Sequence, residues 1–453
     1  MFKHVLVLLL GSVLFIQAGE KSILDRYIEI ALGNNLALQQ QEFSFEKSIA
    51  ALHEARGLFF PEISINARYS RAGGGRLIEI PVGQFVNPVY KTLNYLLQQN
   101  IFPEDIGTQT FPFLREKEHE TKIRAVQPLF KPEIFYNYQI KNRLSEIERA
   151  GKEAFALRLV AEVKTAYYNF LKTLEIIHFL ERTQELLQEN LRVNEKLVDT
   201  HKATLENVYR ARADLSELEK QQAEAIKNRD IAQAYFNFLL NRSPAETIEL
   251  IQIDLPSVFP TMDLAAAENL ALQNRHELKQ IEASREAMQS GIQIHRAAFL
   301  PSVLAVFDYG FQGEQYRFSQ KDDFWMASAI LEWNLFRGFQ DKARIQQSIL
   351  EKKKMETRHQ ELENQIRLEV REAWHNLLVA DKNIQSTRDR LVTQKKSFEL
   401  VNKKYQQGMV LPIEYRDARN NYLQSEIQHL IAVYDFYIRQ AELERTLASY
   451  PLK

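Results

Sequence analysis

The sequence predicts a mainly α chain with a small β part, in which one unit of long coiled-coil helices and two strands is written twice, giving four transmembrane β-strands per chain. Three observations predict it. The chain matches itself at a nearly fixed offset, its longest segments lack helix breakers and repeat apolar residues in a 4-3 alternation, and shorter segments alternate apolar and polar residues with period two.

At an offset of 240, Ala31/Ala271, Leu32/Leu272, Asn34/Asn274, Leu38/Leu278, Arg56/Arg296, Phe59/Phe299 and Pro61/Pro301 match. The offset falls to 206 at Leu129-Phe130 and Leu335-Phe336, then holds at 207 for Glu162/Glu369, Val163/Val370, Ala166/Ala373 and Arg212/Arg419. The first copy therefore carries 34 extra residues between Pro61 and Leu129. Seven of the 13 prolines and six of the 15 glycines lie between Gly57 and Pro132, so the insertion reads as loop.

The elements follow in order. Lys3 and His4 precede an apolar run from Val5 to Ile16 and the small-residue stretch Gln17-Ala18-Gly19, the layout of a secretory signal peptide over residues 1–18. The alternative is an uncleaved anchor, but the run is short of the roughly 18 apolar residues of a spanning helix, and no other stretch reaches that length. Export without helical anchors leaves a soluble periplasmic or secreted protein, or an outer-membrane β-barrel. The first repeat occupies 22–243, with helices at 22–58, 132–199 and 207–243, strands at about 60–72 and 117–130, and a loop at 73–116 expected to be extracellular. A linker covers 244–261. The second repeat occupies 262–449, with helices at 262–298, 338–406 and 413–449 and strands at about 300–312 and 324–336.

The helices give the clearest signal. Residues 339–407 contain neither Gly nor Pro, and one helix of that length would span about 100 Å. Its apolar positions run from Ile366 through Val370, Ala373, Leu377, Ala380 and Ile384 to Phe398, Val401 and Tyr405, interrupted only at Thr387 and Gln394. That is a coiled-coil seam. A second flank of Trp374, Leu378, Val392 and Leu400 gives the helix neighbours on two sides.

The strands alternate. Ile63, Ile65, Ala67 and Tyr69 share a face, as do Val303, Ala305, Phe307, Tyr309 and Phe311, and Trp325, Ala327, Ala329, Leu331, Trp333 and Leu335. Trp325 and Trp333 are ~26 Å apart on a strand, which fits aromatic girdles, shared with Tyr69 and Tyr309, on an apolar band ~25 Å tall. A sheet packed on a soluble core would alternate too. The strand around Ile123, Ala125 and Leu129 carries the weakest pattern. Four strands cannot close a barrel, and open edges cannot sit in lipid, so a barrel here is shared between chains; a homotrimer would give twelve strands.

Composition excludes other classes. Lysine and arginine number 58 against 59 acids, which is no footprint of a nucleic-acid binder. Zero cysteines remove disulfides, thiol catalysis and Cys-ligated metals. The ten histidines form no ligand motif, Gly73-Gly74-Gly75 is followed by no phosphate-loop Lys-Ser/Thr, and there is no nucleophile elbow. Neither an enzyme, a metal nor a cofactor is expected.

Taken together, the duplication, Phe60-Pro61 and Leu300-Pro301, Gln127-Pro128-Leu129-Phe130, Trp333-Asn334-Leu335-Phe336-Arg337-Gly338, and Gly408 with Glu414, Asp417, Ala418 and Arg419 resemble the TolC-like outer-membrane efflux proteins across about residues 22–449. The resemblance implies a trimeric α-barrel/β-barrel channel-tunnel in the outer membrane of a Gram-negative bacterium, extending into the periplasm. It implies a passive exit duct of a tripartite efflux or type I secretion system, whose partners are a periplasmic adaptor, an inner-membrane transporter and outer-membrane lipid. It also implies that the hairpin tips, Thr200, His201 and Lys202 and Gln407, Gly408 and Met409, dock adaptor hairpins, although His201-Lys202 stands where the family has Gly and a small or apolar residue. Glu414 and Asp417 match carboxylates that ring the closed entrance; the helix dipole alone would also favour acids just after Pro412. Val410 stands where the family's best-known gate has an arginine. The competing reading is a periplasmic adaptor or coiled-coil scaffold that never enters lipid.

Overall fold

A computed structural model describes residues 22–251 and 262–452; the expected signal peptide and residues 252–261 of the linker lie outside them. The elements are α1 (Ile23–Asn34), α2 (Leu36–Gly57), β1 (Glu62–Arg71), β2 (Leu77–Ile80), α3 (Val82–Leu97), β3 (Gln109–Pro112), β4 (Lys117–Phe130), α4 (Pro132–Asp199), α5 (Leu205–Leu239), α6 (Leu264–Asn274), α7 (His276–Ala297), β5 (Ser302–Gly313), β6 (Asp323–Glu332), α8 (Gln340–Gln406) and α9 (Pro412–Leu447). The repeat is visible in these bounds, since α2 and α7 differ by the offset of 240 and α5 and α9 begin 207 residues apart. The chain divides into two compact units, one formed by the residues up to Ile49, Arg143–Glu286 and those from Lys352 on, the other by Ala50–Asn142 and Ala287–Glu351.

The first unit is helical and has twin cores. In one, Leu159, Val163, Tyr167 and Phe170 of α4 pack with Tyr27, Ile28 and Ala31 of α1 and Phe236 and Leu240 at the end of the first repeat. In the other, Ile366, Val370, Ala373 and Leu377 of α8 pack with Ala267 and Ala271 of α6 and Leu443 and Leu447 of α9. Every seam residue expected on α8 is buried or half-buried, including the two polar breaks. Thr387 lies within 3.2 Å of His429 Nδ1 on α9, so the first break is a polar contact within the seam. Burial holds the His429 imidazole below its usual range, with Arg388 adding to the effect. The second flank is different: Leu378, Val392 and Leu400 are exposed in the single chain.

The expected helices 22–58 and 262–298 are each two helices. Asn35 has φ −64° and ψ 122°, which breaks the helix, and its Oδ1 accepts the Ala37 and Leu38 N–H groups to start the next one. Asn35 Nδ2 donates to the Leu239 carbonyl at 2.9 Å. At the equivalent break, Arg275 donates to the Thr446 carbonyl at 3.4 Å and pairs with Glu277 and Glu369 at 3.0 and 3.1 Å. Thus the interruption in each repeat reaches back to the last helix of that repeat.

The second unit holds a sheet of order β1-β4-β5-β6, antiparallel throughout. The strand with the weakest sequence pattern, β4, is the longest, at 14 residues, and lies inside the sheet. Its ladder with β5 slips between Pro128 and Phe130, where proline has no N–H to give. The last strand is shorter than expected: β6 ends at Glu332, and Trp333 and Leu335 lie beyond it.

Segment 73–116 departs from its reading as loop. It holds the β2–β3 hairpin and the 16-residue helix α3, which keeps Pro88 in its interior. Proline and glycine density misled there because Gly73, Gly74 and Gly75 mark only the way in, and Gly74 and Gly75 take φ of +76° and +93°.

The seam makes a quantitative expectation. Leu377 is fully buried, so Leu377→Ala should cost about 2–5 kcal/mol, read as a lower guanidinium unfolding midpoint. An unchanged midpoint would mean the seam is not packed as described.

Candidate functional site

The sheet has two unlike faces, set by the period-two alternation of its strands. Aligned across it on one face are Ile63, Ala125, Phe307 and Ala327, and in the next row Ile65, Ile123, Tyr309 and Trp325. Ile63, Ile65, Ile123, Phe307, Tyr309 and Trp325 are all exposed, Ile65 by 74%. The other face carries Arg68, Glu118, Glu120, Lys122, Arg124 and Asp308 in one ladder of ion pairs. Lys122 meets Glu120 at 2.6 Å and Asp308 at 3.7 Å, Arg124 holds Asp308 with two bonds of 2.8 Å, and Arg68 reaches Glu118 and Glu120 at 3.7 and 3.8 Å. Asp308 has no exposure at all. This face also carries apolar residues, Phe324, Met326 and Ile330 of the edge strand β6 and, toward the helix junctions, Val126, Leu304 and Val306. Gly310 is required here, since a Cβ would lie 2.4 Å from the Thr121 carbonyl oxygen.

Four aromatic residues singled out in the sequence divide between the ends of the sheet. Tyr309 and Trp325 are register partners, and Tyr69 sits opposite His119 at the same end. Trp333 lies past the other end, where its Nε1 donates to the Phe299 carbonyl at 3.1 Å. It has company that sequence reasoning missed: Phe60, Phe130, Phe299, Phe336 and Phe339 are all exposed around the helix–strand junctions. The signal was present as Phe59-Phe60 and as the repeat-related pairs Phe59/Phe299 and Phe130/Phe336. The ion-pair ladder was also missed, because its members come from three strands and only register brings them together.

The other candidate region is the pair of helix-hairpin turns. α4 ends at Asp199 and α8 at Gln406, and both turns close in the same way. Lys202 N–H donates to the Leu197 carbonyl at 2.8 Å and Met409 N–H to the Lys404 carbonyl at 2.9 Å, each the long bond of a Schellman motif. The residue that must turn left-handed is His201, at φ +62°, in the first hairpin and Gly408, at φ +75°, in the second. The six tip residues, Thr200, His201, Lys202, Gln407, Gly408 and Met409, are exposed.

Above the turns the hairpins are tied together. Tyr405 stacks on Tyr415 at 4.4 Å between centroids, Phe398 stacks on Tyr422 at 5.4 Å, and Leu186, Val193 and Leu197 of α4 close around them. Tyr405 donates to Asn194 Oδ1 at 2.8 Å, and the buried Arg419 pairs with Asp214 of α5 at 2.6 Å. Burial pushes the Tyr415 hydroxyl up to about 12, with Arg419 opposing the shift. A cleft of about 360 Å³ lies here, lined by Glu206, Arg210 and Asp214 of one hairpin and Ile413, Arg416 and Arg419 of the other. Glu414 and Asp417 stand beside it on α9, both exposed and without a hydrogen bond or ion pair among the described residues. No side chain caps the start of that helix.

Long paired helices and a four-stranded sheet with one exposed apolar face make up a fold that solved outer-membrane channels share. The chain overlays OprN, an outer-membrane channel, with a TM-score of 0.77 and 17% identity, covering 94% of this chain and 89% of that one. It overlays the transmembrane channel CusC with a TM-score of 0.78 and 16% identity, covering 94% and 91%. The outer membrane protein VceC of Vibrio cholerae gives 0.77 and 14%, covering 94% and 95%. No curated protein matches the chain significantly. Residues 268–449, most of the second repeat, match the family model described as outer membrane efflux protein, which bears out the resemblance read from the motifs.

The tips carry an asymmetry that can be measured. A non-glycine residue at left-handed φ costs about 1–2 kcal/mol, so His201→Gly should slow hydrogen exchange at the Lys202 amide, while Gly408→Ala should speed it at Met409. Equal exchange in the variants and the parent would contradict the shared turn geometry.

Proposed function

We propose that this chain is the outer-membrane exit duct of a tripartite efflux or type I secretion system: a passive channel, built from three copies, that conducts substrates delivered by an inner-membrane transporter and a periplasmic adaptor. One observation carries the reading. The sheet exposes an apolar face and gathers its charges into paired ladders on the other, the reverse of a water-soluble sheet, which suits strands with lipid outside and an aqueous lumen inside. No helix among the described residues is long and apolar enough to cross a membrane. A soluble adaptor or coiled-coil scaffold has no use for such a face.

The remaining parts fit this duty. Among the described residues both edge strands, β1 and β6, lack a partner on one side, and three chains would join them into twelve strands. Tyr69, Tyr309 and Trp325 would mark one membrane boundary, and Trp333 with the junction phenylalanines the other. Helices α4 and α8, of 68 and 67 residues, are each about 100 Å long, enough to carry the duct through the periplasm. The exposed tips would meet the adaptor. Glu414 and Asp417, three residues apart on one helical face, would ring the entrance as six carboxylates. The sequence holds no nucleotide-binding motif, so an energised partner must drive transport.

Membrane fractionation tests the placement: the protein is expected in the outer membrane, and recovery as a soluble periplasmic species would refute the reading. For the entrance, Glu414→Ala combined with Asp417→Ala should lower cation selectivity and divalent-cation block in planar bilayers. Unchanged selectivity and block would leave both acids with only their interaction with the helix dipole.

A further inference from the structure

The insertion in the first repeat is folded inside out. Along α3, Asn87 and Asn94 lie on one side, and against them runs a return strap, residues 99–107. Asn94 Oδ1 accepts the N–H groups of Ile101 and Phe102, and its Nδ2 donates to the Phe102 carbonyl and to Glu104 Oε1 at 2.7 and 2.9 Å. Asn87 exchanges two bonds with the Ile106 backbone, of 2.9 and 3.1 Å. Gly83 admits the strap, because a Cβ there would sit 1.7 Å from the Ile106 carbonyl oxygen. The polar side of the helix is thus consumed internally, while Phe85, Val89 and Leu96, at i, i+4 and i+11, share the opposite side and are exposed by 71%, 54% and 70%.

That arrangement suits a place without water. A strap whose backbone at Ile101, Phe102 and Ile106 is bonded by the buried Asn94 and the half-buried Asn87 needs no solvent at those groups, and an apolar helix face left outside needs cover. The charge pattern selects lipid over a protein partner. Residues 81–103 contain one charged side chain, Lys91, on the polar side where it can reach headgroups; the strap's acids, Glu104 and Asp105, follow this stretch, and Glu104 accepts a bond from Asn94 on the polar side. The insertion also continues the β1–β4 ladder of the sheet. The β1–β4 ladder extends through Ala72 and Glu116 and, after a one-residue slip at the three glycines, through Arg76 and Phe113 into β2–β3. Such a slip bends a ribbon.

We propose that α3 and its strap form a second membrane contact, lying in the outer-leaflet interface with Phe85, Val89 and Leu96 in lipid. The proposal rests on the outer-membrane reading above and adds a lipid contact outside the barrel strands. Because the chain has no cysteine, single-cysteine variants can be labelled cleanly. The full-length variants Phe85→Cys, Val89→Cys and Leu96→Cys, with Lys91→Cys and Ile65→Cys as controls, would carry bimane in vesicles of phosphatidylethanolamine and phosphatidylglycerol containing a doxyl lipid. Quenching at the three helix positions should exceed that at Lys91 by about twofold or more and approach that at Ile65. Quenching at Ile65 but not at the helix positions would overturn the proposal while leaving the barrel intact. Disulfide-linked copies at Phe85 or Leu96 without quenching would assign the face to a second chain instead, also against it. Loss of quenching at Ile65 itself would remove the membrane reading, and this one with it.

Discussion

Everything in this protein depends on where the backbone hydrogen bonds at the two sheet edges go. An unpaired N–H or C=O in the hydrocarbon core costs several kcal/mol, and among the described residues β1 and β6 each have one side without a strand partner. In the proposed lipid setting, neither edge can be left to water. The proposed assembly answers this through other copies of the same edges, and the same assembly would cover the exposed flank of Leu378, Val392 and Leu400 on α8 with a neighbouring helix.

Duplication makes that solution economical. Each repeat supplies one hairpin of strands and one hairpin of long helices, and β4–β5 pairing joins the two halves of the sheet within a chain. The twin cores show how little the halves had to diverge. Val163 and Val370 are both fully buried, 207 residues apart, as are Leu240 and, nearly, Leu447. Divergence collects at the insertion at 73–116, at the His201 turn against the Gly408 turn, and at Asn35 against Arg275.

Much of the fold was legible in the sequence for a physical reason. A seam of apolar residues every three and four positions has no other stable use, so the burial of Ile366, Val370 and Leu377 followed from spacing alone. Strand faces were legible from alternation, and Tyr309 and Trp325 did prove to be partners on one face. What could not be read depended on contacts remote in sequence. Arg275 breaks a helix without being a good cap, because its guanidinium is held by Glu369 and the Thr446 carbonyl. The charge ladder across β1, β4 and β5 needs the register before it exists. Helix α3 was hidden because Pro88 and the preceding glycines argued for a loop, whereas the asparagine bonds that fix it join residues 7 to 19 positions apart. At the tip, the turn itself was expected, but the acceptance of His201 in a left-handed position was not.

The central claim is that one chain is an incomplete barrel and that identical chains complete it. Native mass spectrometry of the detergent-released protein counts those chains directly. The account predicts a single species of three copies. A folded, stable monomer at the same concentration would leave both sheet edges open and contradict it.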